Sequence, residues 1–255
     1  MSDGKGASER VLGRRALVTG GTGGIGIGIV EALAAEGADV AIQYFRNQTE
    51  ADRMVAMVEK SGRIGVGVQA DLLDVRSVHA MRDTLHEKFG KVDTLINCAG
   101  INRDSLFSRM TDEQWDEVIE VNLSGVFHCC RAFVEEITAS GHGRIINISS
   151  LVGQMGNIGQ VNYAASKSGM IGFAKALARE LASQKTTVNV IAPGFIDTPM
   201  VQKIPEPVKQ KILNQIPMGR FGTTREVAMS VVYLVSSEAD YITGTVLNMN
   251  GGMYL

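Results

Sequence analysis

The sequence predicts an α/β protein with a single domain built on one parallel β-sheet. Two observations support this fold class. Strand-like apolar runs alternate with helix-like amphipathic stretches from residue 15 to residue 250, which is typical of parallel strands joined by helices. No linker rich in Pro, Gly or Ser interrupts the 255 residues, so we expect one domain over residues 14–255 rather than two small ones, after a flexible leader over residues 1–13.

Composition limits the classes of partner and compartment. The 25 basic and 27 acidic residues give a net charge of −2 without a basic stripe, so neither nucleic acid nor a membrane surface is an expected partner. The apolar runs are too short to cross a bilayer, and three cysteines cannot form a disulfide framework. We therefore expect a cytoplasmic protein. No metal site is expected, because the consecutive His128, Cys129 and Cys130 point in different directions on a helix.

The first strand, residues 14–20, runs into a glycine-rich turn at residues 21–28 and then into an alanine-rich helix. Backbone amides and the positive end of such a helix accept a pyrophosphate, and missing side chains let it approach closely. The turn therefore predicts a nucleotide site rather than a purely structural turn. The two possible registers are Gly21, Gly23 and Gly26, or Gly20, Gly24 and Gly26.

The second strand, residues 38–47, should end beside the adenosine ribose of a bound dinucleotide. Its carboxyl end reads Tyr44, Phe45, Arg46 and lacks the acid that binds the 2′-hydroxyl of NAD, since Asp39 is at the opposite end. Arg46 would pair with a 2′-phosphate, so we predict NADP(H) as the cofactor. The alternative is that Arg46 is a solvent-facing turn residue.

Two further strands are predicted next along the chain. The third, residues 64–72, ends at Asp71 and Leu72, where the adenine edge would lie. The fourth, residues 91–100, breaks at Ala99 and Gly100, whose small size lets a flat ring pass.

A long helix capped at Thr111 is predicted over residues 111–137. Asn122 lies in its interior, where asparagine is unfavourable, and a hydrogen bond to a neighbouring backbone carbonyl would explain it. A strand at residues 144–150 and a second long helix at residues 160–183 follow.

The last third of the chain completes the sheet and covers the site. A strand over residues 186–200 ends at Pro193 and Gly194 and should bring Ile196 and Thr198 over the cofactor. Residues 199–222 are interrupted by prolines and predict a lid over the substrate. The final elements are a helix at residues 225–237 and a strand at residues 243–252.

The stretch from Ser150 to Lys167 carries the candidate chemistry. Tyr163 and Lys167 are four residues apart and would share one face of a helix. A cation within reach lowers a tyrosine pKa from ~10 by roughly 1–3 units, so Lys167 is expected to lower the pKa of Tyr163. Ser150 follows a buried strand and can supply a second hydroxyl. The alternative is a chance pair, because Tyr and Lys four residues apart occur on many helices without a catalytic role.

Taken together, these motifs resemble the short-chain dehydrogenase/reductase family over almost the whole chain. The resemblance is closest to the 3-oxoacyl carrier-protein reductases and the acetoacetyl-CoA reductases, through residues 155–169, 188–200 and 241–255. It implies a Rossmann-type, doubly wound parallel sheet of seven strands with helices on both faces, and a homotetramer built across two long helices and the C-terminal tail. The elements that agree in order and spacing are TGGTGGIG at 19–26, Asp71, NCAG at 97–100, Asn122, Ser150 with YAASK at 163–167, and PGFIDT at 193–198.

The resemblance also implies a reaction and the residues that perform it. NADPH would pass a hydride to the ketone carbon of a 3-oxoacyl thioester of acyl carrier protein or CoA, while Tyr163 protonates the oxygen. One alternative is another alcohol or sugar dehydrogenase of the family. The other is a non-catalytic dinucleotide sensor, which would have no need of Tyr163 and Lys167 together. The implied catalytic tetrad is Asn122, Ser150, Tyr163 and Lys167. The implied cofactor-binding residues are Gly20, Thr22, Gly24, Ile25, Gly26, Arg46, Asp71, Leu72, Asn97, Ala99, Gly100, Tyr163, Lys167, Pro193, Gly194, Ile196 and Thr198.

Three features depart from the family pattern. Gly23 stands where NADP-dependent relatives often have an arginine, so Arg46 must carry more of the cofactor preference. Cys98 replaces the usual second asparagine of the 97–100 segment. The regions that dock an acidic carrier in the carrier-protein reductases, here residues 135–143 and 183–187, hold little positive charge, which gives weight to a CoA thioester or another 3-oxo substrate.

Overall fold

The computed structural model describes residues 9–202 and 204–255. Seven parallel strands form the central sheet, and two short strands pair beside it. In chain order the strands are β1 (Arg15–Thr19), β2 (Asp39–Tyr44), β3 (Gly65–Gln69), β4 (Thr94–Asn97), β5 (Arg144–Ile148), β6 (Thr187–Pro193), β7 (Ile196–Asp197), β8 (Gly222–Thr223) and β9 (Val246–Met249). The strands β7 and β8 form the small pair.

Helices follow the strands of the central sheet and cover both of its faces. They are α1 (Gly24–Ala35), α2 (Gln48–Lys60), α3 (Val75–Lys88), α4 (Asp112–Ile119), α5 (Gly125–Ala139), α6 (Val152–Met155), α7 (Val161–Leu181), α8 (Pro199–Gln202), α9 (Glu206–Leu213) and α10 (Thr224–Val235). None of those in the described part of the chain combines the length and apolar character that crossing a membrane requires.

The strand order is β3-β2-β1-β4-β5-β6-β9, and every neighbouring pair is parallel. The winding reverses between β1 and β4, which places a ligand crevice at the carboxyl ends of these two strands. This order confirms the predicted doubly wound sheet of seven strands.

Burial on both faces explains the nearly continuous apolar strand sequences. Side chains alternate between two core clusters: Ala16 and Val18 of β1 pack with α1 and α10, whereas Leu17 packs with α3, α5 and α7. The strands β1, β2 and β5 are buried along almost their whole length. The sheet therefore provides a fixed edge on which the loops at the carboxyl ends are positioned.

The structure differs from the predicted boundaries at the amino terminus. Residues 1–8 of the predicted leader lie outside the described residues. Residues 9–13 form a turn instead of a flexible segment: Val11 is buried, and its amide donates to the carbonyl of Glu36. Arg10 forms an ion pair with Glu238. An apolar side chain that finds a place in the core orders this part of the segment.

Two of the longer predicted elements are each divided into shorter ones in the structure. The helix predicted over residues 111–137 is interrupted by a π-helical segment, Glu120–Ser124, between α4 and α5. The strand predicted over residues 186–200 ends at Pro193, and β7 begins after a turn. The lid predicted over residues 199–222 holds α8 and α9, while its residue 203 lies outside the described part of the chain.

Candidate active site

The glycine turn between β1 and α1 is closely packed at glycines of both predicted registers, since a Cβ atom on Gly21 would lie 2.8 Å from Ile42 Cγ2. Gly20 has a φ of +63°, and a Cβ atom there would lie 2.8 Å from the Cα of Ala99. A Cβ atom on Gly26 would collide with the carbonyl oxygen of Gly20, and Gly24 begins α1. A larger side chain at Gly20 would push the turn away from Ala99, and one at Gly26 would push α1 away from the turn, so the close packing requires glycine at these two positions.

The amino end of α1 is open to an anion. Its N-cap residue, Gly23, has no side chain that can accept from the first amides, and the first turn contains no acidic residue. The methyl group of Thr198 approaches this end, because a Cβ atom on Gly24 would lie 3.1 Å from it. The predicted residues Thr22 and Ile25 border the same turn and are partly buried. Unpaired amides at a helix amino terminus fit a pyrophosphate.

The adenosine end of the crevice is formed by β2 and β3. Arg46 is exposed after β2, and its guanidinium lies 4.9 Å from the ring centroid of Phe45. After β3, the carboxylate of Asp71 accepts from the amide of Leu73 at 3.0 Å, and the carbonyl of Leu72 accepts from His128 Nδ1 at 2.9 Å. Hydrogen bonds therefore hold Asp71 and Leu72 after β3, whereas Arg46 after β2 is exposed beside Phe45.

The end of β4 lies directly beside the glycine turn. The hydroxyl of Thr19 accepts from the amides of Cys98 at 3.0 Å and Ala99 at 3.2 Å. This places the predicted residues Ala99 and Gly100 at the crevice. Burial raises the pKa of the Cys98 thiol to about 11, so this departure from the family pattern introduces a neutral group.

The predicted cofactor contact Asn97 has its side chain in the core instead. Its Nδ2 donates to Asn147 Oδ1 at 2.8 Å and to the sulfur of Cys130 on α5 at 3.4 Å. The alternation of side chains along β4 causes this, because Asn97 and Leu95 share the face that packs on α5. Only the backbone of Asn97 is available at the crevice.

The end of β6 closes the other side of the crevice. The carbonyl of Pro193 accepts from the amide of Leu151 at 2.8 Å, and Gly194 packs closely on the backbone of Asn250. Of the two residues predicted to cover the cofactor, Thr198 approaches α1, whereas Ile196 is 5 % exposed and packs in the core. The side chain of Ile196 therefore anchors this segment to the core instead of covering the cofactor crevice.

Three residues of the predicted tetrad meet at the carboxyl end of β5. Tyr163 and Lys167 share a face of α7, with Lys167 Nζ 5.7 Å from the ring centroid of Tyr163. The hydroxyl of Ser150 is near enough to that of Tyr163 to oppose the rise in its pKa, and Ser150 Oγ accepts from the amide of Val152 at 3.1 Å. Lys167 is 3 % exposed, and its Nζ donates to the carbonyl of Ile148 at 2.9 Å. A hydroxyl pair and a buried ammonium thus face the same crevice as the glycine turn.

Asn122, the fourth residue, is held by the π-helical segment. Its Oδ1 accepts from the amide of Ile101 at 2.8 Å, and its Nδ2 donates to the carbonyl of Ile101 at 2.9 Å and to Ser166 at 3.1 Å. The expected bond to a backbone carbonyl is present, but its partner is distant in sequence. A Cβ atom on Gly100 would lie 3.2 Å from Asn122 Oδ1 and 3.4 Å from Lys167 Nζ. Gly100 thus lets Asn122 and Lys167 approach each other.

The electrostatics of the pair differ from the prediction. Burial raises the pKa of Tyr163 above its ordinary value, an effect that the Ser150 hydroxyl opposes and Asp104 and Cys98 reinforce. Burial also lowers the pKa of Lys167 to about 8. The prediction that the pKa of Tyr163 is lowered is therefore wrong for the protein without cofactor. Burial of the hydroxyl is the largest contribution, and the spacing of residues along a helix does not reveal burial.

Thr19 and Gln43 were missed by the sequence reasoning. Thr19 connects the ends of β1 and β4, and Gln43 on β2 accepts from the amide of Gly20 at 2.8 Å. A polar residue within the apolar run of β2 was the available signal for Gln43.

Comparison with known proteins agrees with this geometry. Residues 20–254 match the family model described as Enoyl-(Acyl carrier protein) reductase. The chain is 47 % identical over 243 residues to the 3-oxoacyl-[acyl-carrier-protein] reductase FabG of Escherichia coli (strain K12), covering 95 % of this chain and 98 % of that protein. It is 43 % identical over 242 residues to the enzyme of the same name from Staphylococcus aureus (strain N315), with the same 95 % and 98 % coverage. The protein is thus an oxidoreductase acting on CH–OH groups, and the chain belongs to the short-chain dehydrogenase/reductase family.

Proposed function

We propose that the protein reduces a 3-oxoacyl thioester to the 3-hydroxyacyl thioester with NADPH. The observation that carries the proposal is the placement of the Ser150–Tyr163 hydroxyl pair and the buried Lys167 beside a glycine turn that fits a dinucleotide. The names of the 3-oxoacyl-[acyl-carrier-protein] reductases that share 43–47 % identity support the substrate class.

When bound in this crevice, NADPH would supply a hydride for the ketone carbon. As that C–H bond forms, the carbonyl π electrons move to the oxygen, and Tyr163 donates its hydroxyl proton there. The Ser150 hydroxyl, which lies near Tyr163, would donate a hydrogen bond to the same oxygen and orient it. A raised tyrosine pKa suits this direction, because the acid must carry its proton when the reaction begins. The ammonium of Lys167 then stabilises the tyrosinate that is left.

The preference for NADPH over NADH is proposed to reside in Arg46. This residue is exposed after β2, stacks on Phe45, and has no acid beside it in the segment 43–46. A guanidinium forms charge-assisted hydrogen bonds with a 2′-phosphate and has no such partner in NADH.

Arg46→Ala is therefore expected to raise the Kd of NADPH roughly tenfold, the size of one charge-assisted hydrogen bond, and to change the Kd of NADH less than about twofold. Fluorescence titration with both cofactors measures this. Arg53→Ala is the matched control, since Arg53 is an exposed arginine on α2 that pairs with Glu50. Equal changes in both Kd values, or none, would assign the preference elsewhere.

The carrier of the acyl group is the second specificity to test. The relatives are named for acyl carrier protein, whereas residues 135–143 and 183–187 of this chain contain a single lysine, Lys185, and no arginine. An acidic carrier would find little opposite charge there, so acetoacetyl-CoA is the second candidate substrate.

The proposed activity is tested by following NADPH oxidation with acetoacetyl-CoA, the acetoacetyl carrier-protein thioester, a simple ketone and a sugar ketone. We expect a thioester to have the highest kcat/KM, and NADH to support a lower rate. Preference for the simple ketone or the sugar would identify another alcohol dehydrogenase activity. NADPH binding without turnover of any carbonyl compound would point to a dinucleotide sensor.

We also propose that the protein forms a homotetramer, as the family resemblance implies. The exposed Phe127 on α5 is an apolar side chain on one of the helices that would meet a second copy. Sedimentation velocity gives the mass of the assembly directly.

A further inference from the structure

A buried carboxamide connects the glycine turn to two neighbouring strands. Gln43 lies on β2 and is 2 % exposed. Its Oε1 accepts from the amide of Gly20 at 2.8 Å, and its Nε2 donates to the carbonyl of Ala70, after β3, at 2.8 Å. One side chain thus joins the carboxyl ends of β1 and β3 across β2.

The backbone of Gln43 holds the same turn a second time. Its carbonyl accepts from the amide of Gly21 at 3.1 Å. Gly20 follows the last residue of β1, so its amide needs a hydrogen-bond partner other than the backbone of the strand ladder. The first two amides of the turn are therefore both held by Gln43.

Packing alone does not account for a glutamine at this position. The residues around it on β2, Ala41, Ile42 and Tyr44, are apolar and buried, and an apolar side chain there would fill space without the cost of burying an amide. That cost is offset only because both ends of the carboxamide are hydrogen-bonded. What the carboxamide provides is a defined position for Gly20 relative to Ala70.

The two groups that Gln43 joins belong to opposite halves of the proposed cofactor site. Gly20 begins the turn that would receive the pyrophosphate, and Ala70 precedes Asp71 and Leu72, which would meet the adenine. Their separation must match the length of the adenosine diphosphate half of the cofactor. Holding this distance in the free protein reduces the ordering that binding would otherwise require.

We propose that Gln43 is a positioning residue that sets the affinity for the dinucleotide without taking part in the chemical step. The proposal rests on the proposed function, because it assumes that this crevice binds NADPH. Its hydrogen bonds reach the turn and β3 and none of the tetrad residues, so its loss should act on cofactor binding and leave kcat at saturating NADPH unchanged.

The test compares Gln43→Met with Asn189→Leu. Methionine is unbranched and adapts to the space of glutamine, but it lacks both hydrogen bonds. Asn189 on β6 is also a buried carboxamide that bridges two backbone groups, the carbonyl of Ile242 and the amide of Thr245, and it lies outside the proposed cofactor site. Both variants lose a similar amount of buried hydrogen bonding.

For Gln43→Met we expect the Kd of NADPH in a fluorescence titration to rise roughly tenfold or more, since two hydrogen bonds are lost, with kcat at saturating NADPH within about twofold. For Asn189→Leu we expect lower thermal stability with an unchanged Kd. An unchanged Kd for Gln43→Met, or a lower kcat with an unchanged Kd, overturns the proposal.

A second variant of Gln43 and the unmodified protein serve as further controls for this experiment. If Gln43→Met does not fold, Gln43→Asn takes its place: it keeps a carboxamide, but its side chain is one methylene shorter and cannot reach Gly20 and Ala70 together. Its Kd is also expected to rise, and an unchanged Kd again overturns the proposal. Failure of the unmodified protein to bind NADPH would instead contradict the proposed function itself.

Discussion

Replacing Tyr163 with phenylalanine is expected to lower kcat for thioester reduction by roughly 10²–10⁴-fold, the range attributed to a positioned general acid. The phenyl ring fills the same space on α7 but carries no proton for the developing alkoxide. Lys167 is not expected to replace this proton donor, because its Nζ lies 5.7 Å from the ring centroid of Tyr163 and donates to the carbonyl of Ile148. The measurement is NADPH oxidation under saturating acetoacetyl-CoA.

The control for this substitution is Tyr233→Phe, which removes a tyrosine hydroxyl from α10 outside the site. The Kd of NADPH should remain within about twofold of the unmodified value in both variants, so that a loss of rate reports on the chemical step. A Tyr163→Phe protein that keeps most of its rate would show that another group supplies the proton.

Lys167→Met is expected to abolish most of the activity while leaving the protein about as stable as before at pH 7. The tyrosinate formed during reduction loses its neighbouring positive charge, so kcat should fall by roughly 10²-fold or more. Stability is expected to respond differently, because a buried charge is removed.

Two opposing terms decide the stability at pH 7. The lowering of the Lys167 pKa from 10.5 to about 8 corresponds to a cost of ~3 kcal/mol for burying the ammonium. Methionine removes that cost but leaves the carbonyl of Ile148 without its donor, a loss of about 1–3 kcal/mol. The terms nearly cancel, so urea unfolding should show an unchanged or slightly higher free energy of unfolding.

The pH dependence of this difference follows from the direction of the shift. Below pH 8 the lysine is charged in both the folded and unfolded states, and the folded protein bears the full cost. Between about pH 8 and 10.5 the folded state releases the proton first, so the stability of the unmodified protein rises with pH. The advantage of Lys167→Met should therefore shrink over this interval.

Lys175→Met is the matched control, since Lys175 is exposed on the same helix. It should change neither the rate nor the pH dependence of stability. For the unmodified enzyme, the rate of reduction should fall as the pH rises through about 8, where Lys167 loses its charge. A Lys167→Met protein that is strongly destabilised at pH 7 would contradict the account of the buried charge.

Structural features that depend on residues within one or two neighbouring elements were predicted correctly from the sequence. The helix periodicity of 3.6 residues is enough to bring Tyr163 and Lys167 to one face of α7. The strand, turn and helix around Gly20 and Gly26 likewise depend on neighbours along the chain, and the structure crowds glycines of both predicted registers.

The contacts of Asn122 and Asn97 could not be predicted from the sequence. The sequence placed Asn122 within a helix, but the π-helical segment and the partners Ile101 and Ser166 depend on a loop and a helix that are distant along the chain. The core position of the Asn97 side chain depends on which face of β4 meets α5. Spacing along the chain specifies neither contact.

By itself, the sequence determined the α/β class, the glycine-rich turn between the first strand and helix, and the presence of a Tyr–Lys pair on one helix face. Each of these depends on backbone geometry and on residues close together in the chain. Only the tertiary structure decided that the Tyr163 pKa is raised and that Gln43 bridges Gly20 and Ala70. Desolvation and hydrogen bonds across strands are set by residues that meet only when the sheet assembles, which is why local patterns do not contain them.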